Sequence, residues 1–157
     1  MATTSTTVDP GTLPQTRQLP SASDPAFQAR IADLWSAILD GEPSLAARAF
    51  FPLSAYIQVK GISDPVHDYQ TRLVANFDQD IMSLHSEIGG SATFVSVTVP
   101  DSAQWILPGV EYNKGSYWRV FGTRVDFQTG GRPGHLTIAS MISWRGQWYV
   151  VHLLSIR

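Results

Sequence analysis

Chemistry needs groups that titrate, donate or attack, and this chain carries few of them at informative intervals. Its four histidines stand at 67, 85, 135 and 152. None of them has the HxH, HxxxH or HExxH spacing that brings imidazoles to one metal, and without a cysteine there are no thiolate sites or disulfides. Asp78-Gln79-Asp80 is a generic acidic stretch of the kind that faces solvent on a helix. Neither a metal nor a cofactor is therefore expected. His152 is the more informative histidine, because strict two-residue alternation sets it beside Trp148, Val150, Leu154 and Ile156. An imidazole on an apolar face is either a general base with a perturbed pKa or a histidine bonded within the core. Asp80 is a second candidate base, and Tyr56 or Tyr117 a candidate hydrogen-bond donor. Arg119 falls on a stripe with Tyr117, Phe121, Val125 and Phe127. There it either clamps a ligand carboxylate or phosphate, or pairs with a protein acid, Glu111 or Asp80. Trp105, Tyr112, Tyr117 and Trp118 are aromatics with polar tips, suited to a ligand mouth or to a plug at the open end of a sheet. The Gly130–Gly134 run precedes a strand, not a helix, so it reads as a hairpin loop and not as a phosphate cradle.

These side chains need elements to position them. Residues 1–22 have no apolar period and are rich in Thr, Ser and Pro, so they read as a disordered tether, with residues 23–157 as one domain. Asp24-Pro25 announces a first helix, carried by Phe27, Ile31, Leu34, Trp35 and Ile38 and stopped at Gly41. A short second helix starts near Pro43 and ends before Pro52. Residues 53–59 alternate weakly and read as a short strand. Asp64-Pro65 starts a long helix with its stripe at Val66, Tyr69, Leu73, Phe77, Ile81, Leu84 and Ile88, ended by Gly89-Gly90. The period then switches to two. Val95, Val97 and Val99 mark one strand, residues 100–114 a long connection, and three further strands follow at about 116–127, 135–144 and 147–156. The last pair turns tightly at Arg145-Gly146.

Composition excludes several classes. Net charge is −2, with no Lys/Arg run, so the electrostatic footprint of a nucleic-acid binder is missing. No apolar run is long enough to form a transmembrane segment. Charged residues make up only 15% of the chain against 43% hydrophobic, which implies that some neutral surface is covered. The tail resembles the Thr/Ser/Pro tether behind the lipid anchor of many bacterial lipoproteins. That places the domain outside the cytoplasm, secreted or lipid-anchored, if a signal segment was removed ahead of Met1; otherwise the tail is a cytoplasmic leader.

Helices first and an antiparallel meander after them make an α+β fold. The order resembles the NTF2-like superfamily, also called cystatin-like or SnoaL-like, in which a curved sheet wraps a long helix into a cone. The closing segment Ser143-Trp-Arg-Gly-Gln-Trp-Tyr-Val-Val-His-Leu153 is similar to the last hairpin of that superfamily. The chain is also similar to exported actinobacterial proteins of this group. One departure is the short stretch between the second helix and the long one, where enzymatic members often carry a pocket hairpin. The resemblance implies a cone pocket, read here as binding a small apolar ligand or a protein partner without catalysis. Trp105, Tyr112, Tyr117 and Arg119 are its candidate ligand contacts. The alternative is a cofactor-free isomerase, cyclase or hydrolase with His152 or Asp80 as base and Tyr56 as donor. The last two strands show no polar face, so a homodimer through the sheet is expected, with the 100–114 connection as the other possible cover.

Overall fold

The computed structural model describes residues 8–157. Asp24 accepts from the Ala26 backbone N–H at 2.9 Å and Pro25 takes the first position of α1 (Pro25–Asp40), which ends at Gly41 in the left-handed region, φ 65°. A side chain at Gly41 would meet the His85 ring at 2.8 Å, so close helix packing as well as the turn requires glycine there. The α1 stripe buries Phe27, Ile31, Leu34, Trp35 and Ile38 as its spacing predicts. A 3-10 turn (Pro43–Ala49) takes the place of the expected second helix.

Residues 53–59 are a correction. They form a helix, α2 (Leu53–Val59), and not a strand. Alternation would group Leu53, Ala55, Ile57 and Val59, but the fold buries Ala55, Tyr56 and Val59 and leaves Ile57 exposed, which is helical spacing. The long helix is present but not uniform. A short α3 (Pro65–Asp68) runs into a π-helical segment (Tyr69–Val74) and then into α4 (Ala75–Ile88).

Five strands follow: β1 (Thr93–Thr98), β2 (Gln104–Ile106), β3 (Tyr117–Thr129), β4 (Arg132–Trp144) and β5 (Gln147–His152). They form one open antiparallel sheet in the order β1-β3-β4-β5, with β2 also on β3. The molecule is thus α+β, as expected. The connection 100–114 carries β2, which the alternation pattern had not marked. The Gly130 loop is narrower than expected. Gly130 and Gly131, with φ of 58° and 78°, make a two-residue hairpin turn, and Arg132, Pro133 and Gly134 already belong to β4. Arg145 and Gly146, at 51° and 77°, make the second such turn.

Strict alternation fails at two places, and both re-aim candidate residues. On β3 the buried positions run Tyr117, Val120, Thr123, Val125, with the break at Gly122, whose φ is 83°. Tyr117, Arg119, Phe121, Val125 and Phe127 therefore do not share one environment: Phe127 packs on Trp35 at 5.3 Å in the core. On β5, Ser140 pairs with His152 but Met141 pairs with Val150, so Val151 is an extra residue in a β-bulge. That turns His152 away from Trp148 and Val150 and sets it beside Ser140.

The expected tether is a second correction. Residues 1–7 lie outside the described residues, but from Asp9 onward the chain is strapped across the sheet. Gln15 donates to the carbonyls of Ser116 and Ser143 at 3.1 and 3.0 Å and accepts from the Arg145 N–H at 2.7 Å. The indoles of Trp144 and Trp118 donate to the carbonyls of Pro10 and Arg17 at 2.8 and 2.9 Å. Polar backbone, and not an apolar stripe, docks this segment, so its composition resembles a tether. The strap also answers the argument for a dimer. Trp144 and Tyr149 meet Phe51 edge-on. Trp148, itself buried, lines a hollow together with Leu19, Pro20, Ala22, Val99 and Ala103. Met141, Ile142, Trp144, Trp148, Tyr149, Val150, Val151 and Leu153 are all buried within one chain. The apolar sheet surface that called for a second copy is covered by the strap and helices of the same molecule.

Candidate functional site

Two adjoining hollows lie where α2, the π segment, the 107–114 turn and strands β3–β5 converge. One, of 300 Å³, has an apolar wall of Leu73, Phe121, Ile142, Val151 and Ile156, with Tyr117, Arg119, Ser140 and His152 beside them. The other, of 390 Å³, adds Ile62 and Asp68. Tyr56, Lys60, Arg72, Glu111 and Tyr112 line both.

Two local irregularities build this place. The π segment widens the helix by one residue per turn and carries Arg72 and Leu73, both pocket-lining. Glu111 and Tyr112 both adopt left-handed backbone, φ 55° and 61°, which costs on the order of 1 kcal/mol each outside glycine. The turn is nailed in place by backbone bonds: Gly61 N–H to Tyr112 O at 2.7 Å and Lys114 N–H to Val59 O at 2.8 Å. Strain held this firmly aims the Glu111 carboxylate at the pocket.

The polar lining forms two linked clusters. In the first, Arg72 grips Asp68 bidentately at 2.7 and 2.8 Å, and the Tyr56 hydroxyl donates to the same carboxylate. The Arg72 bonds hold Asp68 below its ordinary range, and burial raises Tyr56 well above its own. In the second cluster Glu111 accepts from Tyr117 on one oxygen and pairs with Arg119 on the other. Lys60 joins the clusters. Its Nζ donates to the Glu111 carbonyl at 3.0 Å and to the Tyr117 hydroxyl at 3.2 Å. Burial, with Arg72 adding repulsion and Asp68 opposing, draws the Lys60 ammonium down to about 8. Burial likewise draws His152 down to about 4, aided by Arg72, Lys60 and Arg157 and opposed by Asp80.

Most of the expected residues meet here. Tyr56, Tyr112, Tyr117, Arg119 and His152 all line the pocket. Arg119 has the acid partner expected for it, Glu111. Trp105 is elsewhere, packed on Trp118 at 5.4 Å beneath Arg17. Asp80 is also elsewhere. It is buried and holds the chain end, accepting from the Leu154 N–H at 3.1 Å and from Arg157 at 2.7 Å. Of the two candidate bases only His152 lines the pocket, with the candidate donors Tyr56 and Tyr117. A neutral imidazole ringed by cations is a weak proton acceptor. Lys60, Asp68 and Arg72 were missed. Asp68 and Arg72 have the (i, i+4) spacing of a helical ion pair, a signal readable in the sequence. Tyr56 and Lys60 share that spacing but were hidden by the strand reading of 53–59.

A larger cleft of 520 Å³ lies between α1, the 3-10 turn and the strap. Its cations are already committed: Arg30 to the Trp148 carbonyl and Gln147, Arg48 to Asp33. Among the described residues no group of three or more His, Cys, Asp or Glu could hold a metal ion, and no helix is long and apolar enough to cross a membrane. No family model, curated protein or solved structure matches the chain.

Proposed function

We propose that this chain is a binding module whose pocket takes a small molecule with an apolar body and one hydrogen-bonding head. The observation that carries this reading is the pairing of an apolar wall with a cluster of donors on one side. Leu73, Ile142 and Val151 give the body a dry surface, and Lys60 and Arg119 offer N–H groups to the head. Phe121 and Ile156, exposed at 45% and 59%, leave an apolar rim that a ligand would cover. Burial and cations around His152, which make its imidazole a weak proton acceptor, support binding over proton-transfer catalysis. The order of helices followed by a meander supports an NTF2-like cone as the architecture. Export is kept in the proposal on the Thr/Ser composition of residues 2–7. Finding the native protein in the cytoplasmic fraction of its cells would remove it.

The test is amide NMR with benzyl alcohol and benzoate as probes. Saturable shifts are expected at residues 56–60, 117–121, 140–142 and 151–152, and Phe121→Glu, at an exposed position, should weaken them. Shifts confined to the cleft around Arg30 and Tyr149, or none that saturate, reject the pocket.

A further inference from the structure

Lys60 is a half-buried cation that lines both hollows. It and Lys114 are the only lysines in the sequence. Lys114 is exposed and Lys60 half-buried. Arg48, Arg72, Arg119, Arg124 and Arg157 each hold a carboxylate within ion-pair distance. Lys60 holds none among the described residues, although buried charges are generally paired. Its Nζ is set where α2 ends, against the Glu111 carbonyl and the Tyr117 hydroxyl. The charged and titratable groups around it are Arg72 and Asp68 from the helical side, Tyr56 one turn earlier on α2, and Glu111 and Tyr117 from the turn and β3. A desolvated lysine beside a second cation is the arrangement that yields a neutral, attacking amine near pH 7.

We infer that Lys60 takes the carbonyl of the ligand covalently, so that a small apolar aldehyde or ketone is held as an imine on Nζ. This deepens the reading of the pocket as a small-molecule site and rests on it. The ammonium first gives a proton to the Tyr117 oxygen as the Tyr117 proton passes to the Glu111 carboxylate. The freed Nζ lone pair then attacks the carbonyl carbon. The C–N bond forms, the C=O π pair moves to oxygen, and that oxygen takes up a proton while nitrogen loses one, giving a carbinolamine. The Tyr117–Glu111 pair returns its proton to the carbinolamine hydroxyl. The C–O bond breaks, water leaves, and the nitrogen lone pair closes the C=N bond. Ammonium plus carbonyl has become iminium plus water, with no oxidant or reductant. Arg119 pairs with one Glu111 oxygen and so holds the other against the Tyr117 hydroxyl. The apolar wall of Leu73, Ile142 and Val151 limits the return of water to the imine.

The two-lysine composition makes the experiment internally controlled. The full chain is treated with benzaldehyde and sodium cyanoborohydride near neutral pH, which reduces any imine to a stable benzylamine, and peptide mapping assigns it. Lys60 is expected to label at least about tenfold faster than Lys114. Benzyl alcohol, of the same shape without a carbonyl, should slow labelling at Lys60 and leave Lys114 unchanged. Tyr117→Phe should slow Lys60 labelling several-fold and leave Lys114 labelling unchanged. If Lys114 keeps pace with Lys60 although benzyl alcohol still shifts the pocket amides, the imine is rejected and the binding site stands. If benzyl alcohol shifts nothing, the pocket itself falls and the imine with it.

Discussion

Single residues set the electrostatics of the pocket, and two of them make it testable. His152 has a folded pKa near 4, below the ordinary histidine value, because burial and neighbouring cations disfavour its charge. Between the two values the unfolded chain binds the proton and the folded one does not. Stability is therefore unaffected above about pH 6.5 and falls as pH drops from there towards 4. With solvent screening allowed for, the loss is no more than about 2 kcal/mol. Urea titrations across that window should show the slope, and His152→Gln should flatten it. Glu111→Gln leaves Arg119, whose side chain is 17% exposed, without its carboxylate. We expect it to lower stability by about 1–2 kcal/mol, measured by thermal melting, and to speed reaction of Arg119 with a dicarbonyl reagent. The Arg119 pairing was legible in the sequence because a cation on an apolar stripe demands an acid, and Glu111 lies one turn of chain away. Lys60 was not legible. Its importance comes from what it lacks, a carboxylate, and absence of a partner is a property of the folded surroundings.

At the scale of elements, the long helix and both closing hairpins were readable from period and punctuation. What escaped were the irregularities: the π segment, the Gly122 break and the Val151 bulge. Each inserts or re-aims one residue without altering composition, so a pattern count passes over it. They are also the devices that point Arg72, Phe121 and His152 at one pocket. Deleting Gln70, exposed within the π segment, should restore a regular helix and shorten the Asp68–Arg72 spacing from four residues to three, re-aiming the pair. Circular dichroism should then report an intact fold, and the NMR response to benzyl alcohol should vanish; an unchanged response would show that the π segment does not shape the site. The strap is the other unread element. Removing residues 1–22 uncovers Trp144 and Trp148 and orphans two indole donors. It should cost about 3 kcal/mol, roughly 10 °C in Tm. A melting curve unchanged by the deletion would restore the tether.

For the whole molecule, much of the apolar content is absorbed where its own chain buries the closing strands, from Met141 to Leu153. The full chain is expected to sediment as a monomer at micromolar concentration, and the strap-deleted form to self-associate through the bared tryptophans. A dimeric full chain would direct attention to the free edge of β1. The strap has a further consequence for how the molecule is made. Gln15 is bonded to residues 116, 143 and 145, so its partners emerge from the ribosome more than a hundred residues after it. During synthesis the strap must wait, undocked, until the last hairpin has formed, and closing so long a loop is slow. A nascent chain arrested before β5 should therefore keep residues 9–22 open to protease long after α1 has become resistant. A segment translated well before its partners is the last to be protected.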